Sequence, residues 1–151
     1  MQPTKKPIGI YVNYTSLNVA PLVPTKSTRG SAGYDLYSRE EVLIPANSVQ
    51  RVGTGLFMEI PENFYMEIST RSGMACKDIV VNNSPGIVDS DYRGEIAVIL
   101  RNNTDKTYRV KIGDRIAQAT FKQSINVVFN NIPSFNSDTE RGQGGFGSTG
   151  A

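Results

Sequence analysis

Two acidic residues, a tyrosine and an arginine stand within five positions of the chain, a combination that could activate water beside a charged substrate. The stretch SPGIVDSDYRGEIAV, residues 84–98, holds Asp89, Asp91, Tyr92 and Arg93 at its polar centre. The chain contains no histidine, which excludes Ser-His-Asp and Cys-His nucleophile chemistry. Either aspartate is then the best candidate for a general base. Acidic residues are also ordinary turn formers, so a purely structural turn is the alternative.

A second stretch, TRSGMA at 70–75, carries groups suited to binding an anion. It follows a predicted strand and could open a short helix, which would put Arg71, Ser72 and the Gly73 N–H at a helix N-terminus. Simple capping of the helix by Ser72 is the structural alternative.

Two polar residues interrupt apolar stretches elsewhere. Gln118 lies in an apolar run after the turn at 113–114, where its side chain is either satisfied in the core or directed at a ligand. Asp35 lies in the strand-like stretch GSAGYDL, 30–36, and a carboxylate there needs a partner. A hydrogen-bonded structural aspartate is the default interpretation.

The last glycine-rich stretch, RGQGGFGSTG at 141–150, matches two nucleotide-binding patterns only in part. It contains a literal GxGxxG, but a single residue follows where that motif needs a helix, and no lysine stands at the Walker A position. Closely spaced glycine amides, with Arg141, Ser148 and Thr149, could still converge on an anion. Phe146 has nothing local to pack on, so a planar ligand is a plausible partner. A disordered Gly/Ser linker is the alternative.

The elements that must position these groups are predicted to be strands. Segments rich in Val, Ile, Tyr and Phe are Ile8–Tyr14, Val42–Ile44, Val49–Ile60, Phe64–Ser69, Glu95–Arg101, Tyr108–Ile112 and Arg115–Asn130. Gly86–Val88 and Glu95–Val98 are predicted to form a β-hairpin around the acidic turn. A short helix is predicted only at Ser72–Lys77. Turn residues at roughly ten-residue spacing favour an all-β sandwich or barrel, and no βαβ repeat is present.

Composition narrows the class of protein and its surroundings. The 151 residues predict one domain, and a net charge of +2 without a basic stripe argues against a duplex nucleic-acid binder. Cys76 is the only cysteine, which predicts a reducing compartment and no structural zinc. No apolar run approaches the roughly 18 residues needed to span a bilayer, and the first residues lack the apolar region of a signal peptide. We therefore expect an intracellular protein, cytoplasmic or nuclear, that is neither secreted nor membrane-bound.

Taken in order, five stretches resemble the trimeric deoxyuridine triphosphatase (dUTPase) family. They are SAGYDL (31–36), RSGMA (71–75), GIVDSDYRGE (86–95), GDRIAQ (113–118) and RGQGGFGSTG (141–150), and they span about 120 of 151 residues. The resemblance implies an all-β, jelly-roll-like β barrel over residues 1–135, with a short helix. A flexible C-terminal arm, residues 136–151, would close over the active site of a neighbour in a homotrimer whose subunits share each site.

The family's activity, as the resemblance implies, is hydrolysis of dUTP to dUMP and pyrophosphate with Mg²⁺. This reaction keeps uracil out of DNA and supplies dUMP for thymidylate synthesis. Asp89 would activate the water that attacks the α-phosphorus, and Tyr92 would lie beneath the deoxyribose and exclude a ribose 2′-OH. The residues implied to contact uracil are Asn83, Gly86, Ile87, Val88 and Ala97.

The remaining roles concern the triphosphate and the metal. Ser72, Gly73 and Arg71 would contact phosphates near the leaving group, Gln118 would hold a phosphate oxygen, and Asp35 would steady Mg²⁺ through water. Residues implied to close the site are Arg141, Gly147, Ser148 and Thr149 on the β- and γ-phosphates and Phe146 on uracil.

The chain also departs from the family pattern at two places, in the stretch 71–75 and just before Gly86. Met74 stands where the family usually has leucine, which is a volume-conserving replacement. Pro85 precedes Gly86 and lacks an N–H, so the side-chain amide of Asn83 is the implied substitute donor.

Two alternatives share the fold: a dCTP deaminase, which uses a glutamate in place of Asp89, and a non-catalytic dUTPase-like binding protein, which could dispense with a base.

Overall fold

The computed structural model describes residues 9–17, 20–135 and 139–145. Within these ranges lie ten strands and one short helix. The strands are β1 (Asn13–Ser16), β2 (Tyr34–Tyr37), β3 (Val42–Ile44), β4 (Val49–Glu59), β5 (Phe64–Ser69), β6 (Ile79–Val81), β7 (Gly86–Val88), β8 (Ile96–Asn102), β9 (Tyr108–Val110) and β10 (Arg115–Gln123). The helix α1 (Ser72–Ala75) lies between β5 and β6. At four residues it is far too short to cross a membrane, and no other described segment is helical.

Two four-stranded antiparallel sheets enclose one hydrophobic core. The first sheet has the order β1-β4-β8-β6, the second has the order β2-β10-β5-β7, and β3 pairs with β9 in a small third sheet. Side chains from both large sheets, such as Val98 of β8 and Met66 of β5, belong to the same buried cluster. The predicted all-β, jelly-roll-like architecture is therefore confirmed.

Alternation along β8 shows how the sequence selects its buried face. Ile96, Val98 and Leu100 are buried, whereas Ile99 and Arg101 are exposed. Successive side chains of a strand point to opposite faces, so one apolar row faces the core. Each such buried aliphatic side chain contributes about 1.5–3 kcal/mol relative to its exposed state.

Asn102 ends β8 as a fully buried polar residue whose amide has all its partners. Its Nδ2 donates to the carbonyl oxygens of Ile44, Pro45 and Lys106 at 3.0, 3.1 and 2.8 Å. Its Oδ1 accepts from the backbone N–H and the hydroxyl of Thr104 at 3.0 and 2.8 Å. A buried amide is tolerated only when it is hydrogen-bonded in this way.

The predicted hairpin between Gly86–Val88 and Glu95–Val98 is wrong. β7 pairs with β5 in the second sheet, whereas β8 pairs with β4 and β6 in the first. The polar segment 89–95 therefore crosses from one sheet to the other instead of closing a tight turn. Tight hairpins need a connection of about two to five residues, and this one is longer.

Two of the predicted strands have the boundaries that the structure shows. The predicted Val42–Ile44 and Phe64–Ser69 have the same bounds in the structure. The predicted Arg115–Asn130 was too long, because the ladder between β10 and β5 ends at Gln123. Beyond it, apolar side chains from residues 125–129 are exposed rather than paired in a strand.

Candidate active site

The segment between β7 and β8, residues 89–95, is called the Asp89 turn. Asp89 directly follows β7, and its carbonyl oxygen accepts the N–H of Tyr92 at 3.2 Å. Arg93 donates through Nη1 to the carbonyl oxygens of Ser90 and Tyr92 at 2.7 and 3.0 Å. Asp89 itself is exposed. Bonds among the turn's own residues thus shape it, while the candidate base is exposed.

Tyr92 folds back over its own turn. Its hydroxyl donates to the carbonyl oxygen of Glu95 at 3.2 Å. A Cβ built at Gly94 would overlap the Tyr92 ring, so glycine is required there for the ring to lie against the backbone. The side chain nevertheless remains 46% exposed and can contact a ligand.

A cavity of about 250 Å³ brings together most residues predicted to contact the nucleoside. Its lining residues are Arg51, Ile87, Val88, Asp89, Tyr92, Glu95, Ile96, Ala97 and Ile99. Gly86 pairs with Ile68 beside this cavity, and a Cβ at Gly86 would lie 3.2 Å from Nδ2 of Asn83. The Asn83 amide therefore lies close to Gly86, next to which it is predicted to bind uracil.

Asp35 forms the centre of a second group, the Asp35 cluster, with Arg71 and Arg115. Arg71 Nε donates to Oδ1 of Asp35 at 2.7 Å, while Arg115 Nη1 lies 3.5 Å from Oδ2. Ser27 Oγ also donates to Oδ2, at 3.1 Å. Asp35 is only 7% exposed, so these partners satisfy a carboxylate that burial alone would penalise.

Gln118 lies next to the Asp35 cluster in the middle of the second sheet. On β10 it stands opposite Asp35 of β2 and Ser69 of β5. Its Nε2 donates to the carbonyl oxygen of Thr70 at 3.3 Å, directly before Arg71. The half-buried amide is thus satisfied by the main chain and also borders the predicted phosphate-binding residues.

Helix α1 begins immediately after Arg71, as predicted, but Ser72 does not cap it. The N-cap position is Arg71, whose backbone is extended, and no side chain makes a capping hydrogen bond. Ser72 and Gly73 are exposed on the first turn. A cavity of about 370 Å³ runs past Arg71, Gly73 and Arg115 and also contains Lys77. Asp114 is the carboxylate among its lining residues.

Burial raises the pKa of Tyr108, which lines that same cavity, and the charge of Asp114 raises it further. Tyr108 therefore stays a neutral hydroxyl there at physiological pH, and its oxygen contacts the sulfur of Met74 at 3.6 Å. The cavity offers cations and a hydroxyl, which suits an anionic ligand.

Glu95 is a site residue that sequence reasoning missed. Its Oε1 accepts Arg39 Nε at 2.8 Å and Gly55 N at 2.9 Å, and its Oε2 accepts Arg51 Nη2 at 3.2 Å. Burial by itself would raise the pKa of this carboxyl, but the three hydrogen bonds outweigh it, so the pKa lies below its ordinary value of 4.5. The two arginines are 56 and 44 positions away in sequence, so no local pattern could have indicated these contacts.

The predicted closing residues are described only in part. Arg141 is exposed and donates through Nε to the carbonyl oxygen of Gly144 at 2.9 Å. Gly142 N donates to the carbonyl oxygen of Thr139 at 3.0 Å, which closes a turn around Arg141. Phe146, Gly147, Ser148 and Thr149 lie outside the described residues.

Comparison with known proteins identifies the family to which these groups belong. The dUTPase family model matches residues 21–150. The chain belongs to the dUTPase family. All five stretches that resembled the family lie within the matched residues. A deoxyuridine 5'-triphosphate nucleotidohydrolase of Helicobacter pylori (strain Shi470) is 45% identical over 130 residues, which are 85% of this chain and 89% of that protein.

Further dUTPase relatives come from other organisms. The deoxyuridine 5'-triphosphate nucleotidohydrolase of Candida albicans is 44% identical over 129 residues, 85% of this chain and 80% of that protein. The structure of a Staphylococcus bacteriophage 80alpha dUTPase with dUPNHPP superposes with a TM-score of 0.84 at 24% identity, over 93% of this chain and 99% of that one. The structure of a phage phi11 dUTPase, described with a structural Mg(II) ion, superposes with a TM-score of 0.77 at 21% identity. The match covers 85% of this chain and 100% of that one. These two structures share the fold with this dUTPase-family chain.

Proposed function

We propose that the chain hydrolyses dUTP to dUMP and pyrophosphate, the activity that the names of the relatives above indicate. The observation that carries the proposal is the 250 Å³ cavity, because the candidate base Asp89, the sugar-facing Tyr92 and Ala97 all line it. Asp89 and Ala97 border strands of different sheets, so the fold gathers these groups from separate elements. The activity keeps uracil out of DNA and supplies dUMP for thymidylate synthesis.

Asp89 takes the proton of the attacking water in this proposal. The hydroxide equivalent forms a bond to the α-phosphorus while the bond from that phosphorus to the bridging oxygen of the β-phosphate breaks. Pyrophosphate leaves with the electron pair of the broken bond. Displacement at phosphorus depends mainly on positioning and charge stabilisation, which this chain provides without histidine.

Tyr92 and the strand ends decide which nucleotide enters. The Tyr92 ring would lie beneath the deoxyribose and exclude a 2′-OH, since the ring is fixed over Gly94. Ile87, Val88 and Ala97 border the space for uracil, with main-chain groups near Gly86 and the Asn83 amide as hydrogen-bonding groups. In this proposal, the space for uracil is too tight for the methyl group of thymine.

Arg71, Ser72, Gly73 and Gln118 would bind the phosphates near the leaving group. Asp35 fixes the Arg71 guanidinium by a 2.7 Å ion pair, so that the cation is already oriented before substrate arrives. Preorganised cations stabilise the charge that develops on the leaving pyrophosphate.

Mg²⁺ fits this site as an ion that comes with the triphosphate. The described part of the chain has no group of three or more Asp, Glu, Cys or His side chains that could hold a metal. Mg²⁺ usually keeps several waters and uses one or two carboxylates plus substrate phosphates. Asp35 already accepts two guanidinium groups, which suits contact with the ion through water. When bound, Mg²⁺ would neutralise charge on the triphosphate.

Within one chain, the candidate base Asp89 and the phosphate-binding candidate Arg71 lie too far apart to act on one phosphorus. Val88, just before Asp89, pairs with Met66 near the start of β5, whereas Arg71 follows the end of β5. An extended strand rises about 3.3 Å per residue, which separates the two groups by roughly 15–20 Å. A base and the groups that hold the leaving phosphates must flank the same reacting atoms, at about 3–3.5 Å.

A homotrimer with shared sites resolves this separation. The groove around Asp89 also contains Glu59, Glu62 and Asp91 with one arginine, Arg93, whereas the cavity at Arg71 contains Lys77 and Arg115 with one carboxylate, Asp114. An acidic groove on one copy and a basic cavity on another are electrostatically complementary. Each active site would therefore combine the Asp89 turn of one subunit with the Asp35 cluster of a second.

The arm of residues 136–151 would complete the site from a third subunit, beyond the barrel domain of residues 1–135. Arg141, Gly147, Ser148 and Thr149 would cover the β- and γ-phosphates, and Phe146 would stack on uracil. The exposed Arg141 guanidinium is available for such a contact. An intracellular location, cytoplasmic or nuclear, suits a chain with a free, exposed cysteine.

Pyrophosphate release from dUTP, dCTP, dTTP and UTP with Mg²⁺ tests the proposed function. We expect rapid release from dUTP alone, since the other three nucleotides differ at the base or at the 2′ position. Ammonia release from dCTP would instead indicate a deaminase. Binding of dUTP without release would indicate a non-catalytic protein, and equal release from all four would contradict the specificity.

A further inference from the structure

Glu95 lies where the Asp89 turn meets the first sheet, and both its side chain and its carbonyl oxygen are hydrogen-bonded there. Its side chain is 13% exposed and bonds Arg39, Arg51 and the Gly55 N–H. Its carbonyl oxygen accepts the Tyr92 hydroxyl. The same residue thus connects the ring of Tyr92 to strand β4.

Strand β4 is shaped to receive this carboxylate. Gly53 pairs with Ala97 but Leu56 pairs with Ile96, so β4 carries a bulge between them. Gly55 has a φ of +72°, which favours glycine, and the bulge turns its N–H toward Glu95 rather than into the ladder. A Cβ at Gly53 would overlap the Glu95 carboxylate. Two glycines therefore make room for one acidic side chain.

Arg39 connects the segment after β2, a strand of the second sheet, to the same carboxylate. It follows β2, and its backbone N–H donates to the carbonyl oxygen of Gly53 at 3.0 Å while its Nε bonds Glu95. The neighbouring Glu40 accepts the Gly53 N–H at 2.7 Å. The carboxylate of Glu95 is consequently bonded both to β4 of the first sheet and to the segment that follows β2 of the second.

We propose that Glu95 is a positioning residue that fixes Tyr92, and through it the Asp89 turn, against the bulge of β4. The chain of contacts runs from the carboxylate to the backbone of residue 95, to the Tyr92 hydroxyl, and by the Tyr92 N–H to the carbonyl oxygen of Asp89. Loosening the carboxylate lets the Tyr92 ring move away from the sugar position. Discrimination against a 2′-OH then weakens. This inference rests on the proposed function.

Glu95→Gln tests the inference by its effect on nucleotide preference. The ratio of kcat/KM for dUTP to kcat/KM for UTP should fall about tenfold, which is a usual size for coupling between contacting residues. A purely structural role would lower both values and leave their ratio unchanged. Glu41→Gln is the matched control, because it removes the same charge from an exposed pair with Arg109. The control should keep the wild-type ratio.

A double-mutant cycle with Tyr92→Phe shows whether Glu95 acts through the tyrosine. Tyr92→Phe removes the hydroxyl that reaches Glu95, so adding Glu95→Gln in that background should change the ratio less than about twofold. An equal fall in both backgrounds would overturn the inference. So would an unchanged ratio in a folded Glu95→Gln protein.

Arg51→Gln covers the case in which Glu95→Gln does not fold. Arg51 is half-exposed and contacts only one oxygen of Glu95, so this variant should fold and shift the ratio in the same direction by less. A wild-type ratio in Arg51→Gln, with Glu95→Gln unfolded, would overturn the inference. A wild-type protein that does not prefer dUTP over UTP would overturn the proposed function, and with it this inference.

Discussion

The Asp35 cluster and the Asp89 turn carry the two halves of the proposed chemistry, but they are built in opposite ways. The cluster is assembled from side chains of different strands, and its central carboxylate is buried and paired with two arginines. The turn is a continuous segment held by bonds among its own residues and by the Glu95 side chain on β4, and its candidate base is exposed. The cations proposed to bind phosphate are thus oriented in advance by an ion pair, whereas the candidate base is exposed to solvent.

The largest expected effect is on the Asp89 turn. Asp89→Asn removes the candidate base without altering an internal contact of its carboxylate, so folding should be unaffected. General base catalysis contributes about 10²–10⁴-fold, and kcat for dUTP should fall by that factor. The dissociation constant of a non-hydrolysable dUTP analogue, measured by calorimetry, should stay near the wild-type value. Near-normal turnover would remove Asp89 from this role.

Co-expression of Asp89→Asn with Arg71→Gln extends this test to the relation between the two regions. If each site takes its base from one subunit and its Arg71 from another, random mixing leaves about a quarter of the sites with both groups intact. Activity should therefore return in mixed trimers, although each variant alone is inactive. Sites contained within single chains would give no recovery.

A smaller effect is expected at the Asp35 cluster. Asp35→Asn keeps the shape but removes the charge that two arginines contact, and hydrogen bonds to charged groups contribute about 1.5–3 kcal/mol. The free energy of unfolding should fall by about 2–3 kcal/mol, and KM for dUTP should rise as Arg71 loses its orientation. Urea unfolding and steady-state kinetics measure the two effects. Asp105→Asn, at an exposed aspartate, is the control that should change neither.

The smallest effect is the pH dependence that Glu95 gives to stability. Its pKa is lower in the folded chain than the ordinary 4.5, so its contribution is fully present above that pH and is lost as the pH falls through the folded pKa. The difference in free energy of unfolding between wild type and Glu95→Gln should accordingly be largest near neutral pH and shrink in acid. Urea unfolding at one fixed protein concentration and several pH values measures it. A difference that is constant with pH would contradict the assigned contacts.

How far the sequence could be interpreted depended on whether the signal was local. β5 was predicted with its observed bounds because Phe64, Met66 and Ile68 alternate with polar neighbours. β6 (Ile79–Val81) was not predicted, although β3 (Val42–Ile44), a strand of the same length, was. Asp35 was expected to need a partner, but which arginines would serve could not be predicted, since Arg71 and Arg115 are distant in sequence.

The error at the Asp89 turn has the same physical origin. Two apolar segments flanking a polar one predicted a hairpin, yet β7 and β8 belong to different sheets. The choice is made by strands outside the segment, because β7 pairs with β5 whereas β8 pairs with β4 and β6. The residues indicated Asp89 or Asp91 as the base, and the family resemblance selected Asp89 and gave Tyr92 its place at the sugar. The convergence of Asp89 and Tyr92 on one cavity could be seen only in the fold.

Asn102 has a consequence for the alignment of this site, although it lies at the far end of β8. A slip of β8 by one residue would turn Arg101 into the core and Ile96 out of it. The five hydrogen bonds of the Asn102 amide can form in one alignment only, because their partners are fixed carbonyl, amide and hydroxyl groups. Asn102 therefore fixes the register of β8. It sets the position along β4 at which Glu95 arrives, and with it the position of Tyr92 and of the candidate base Asp89.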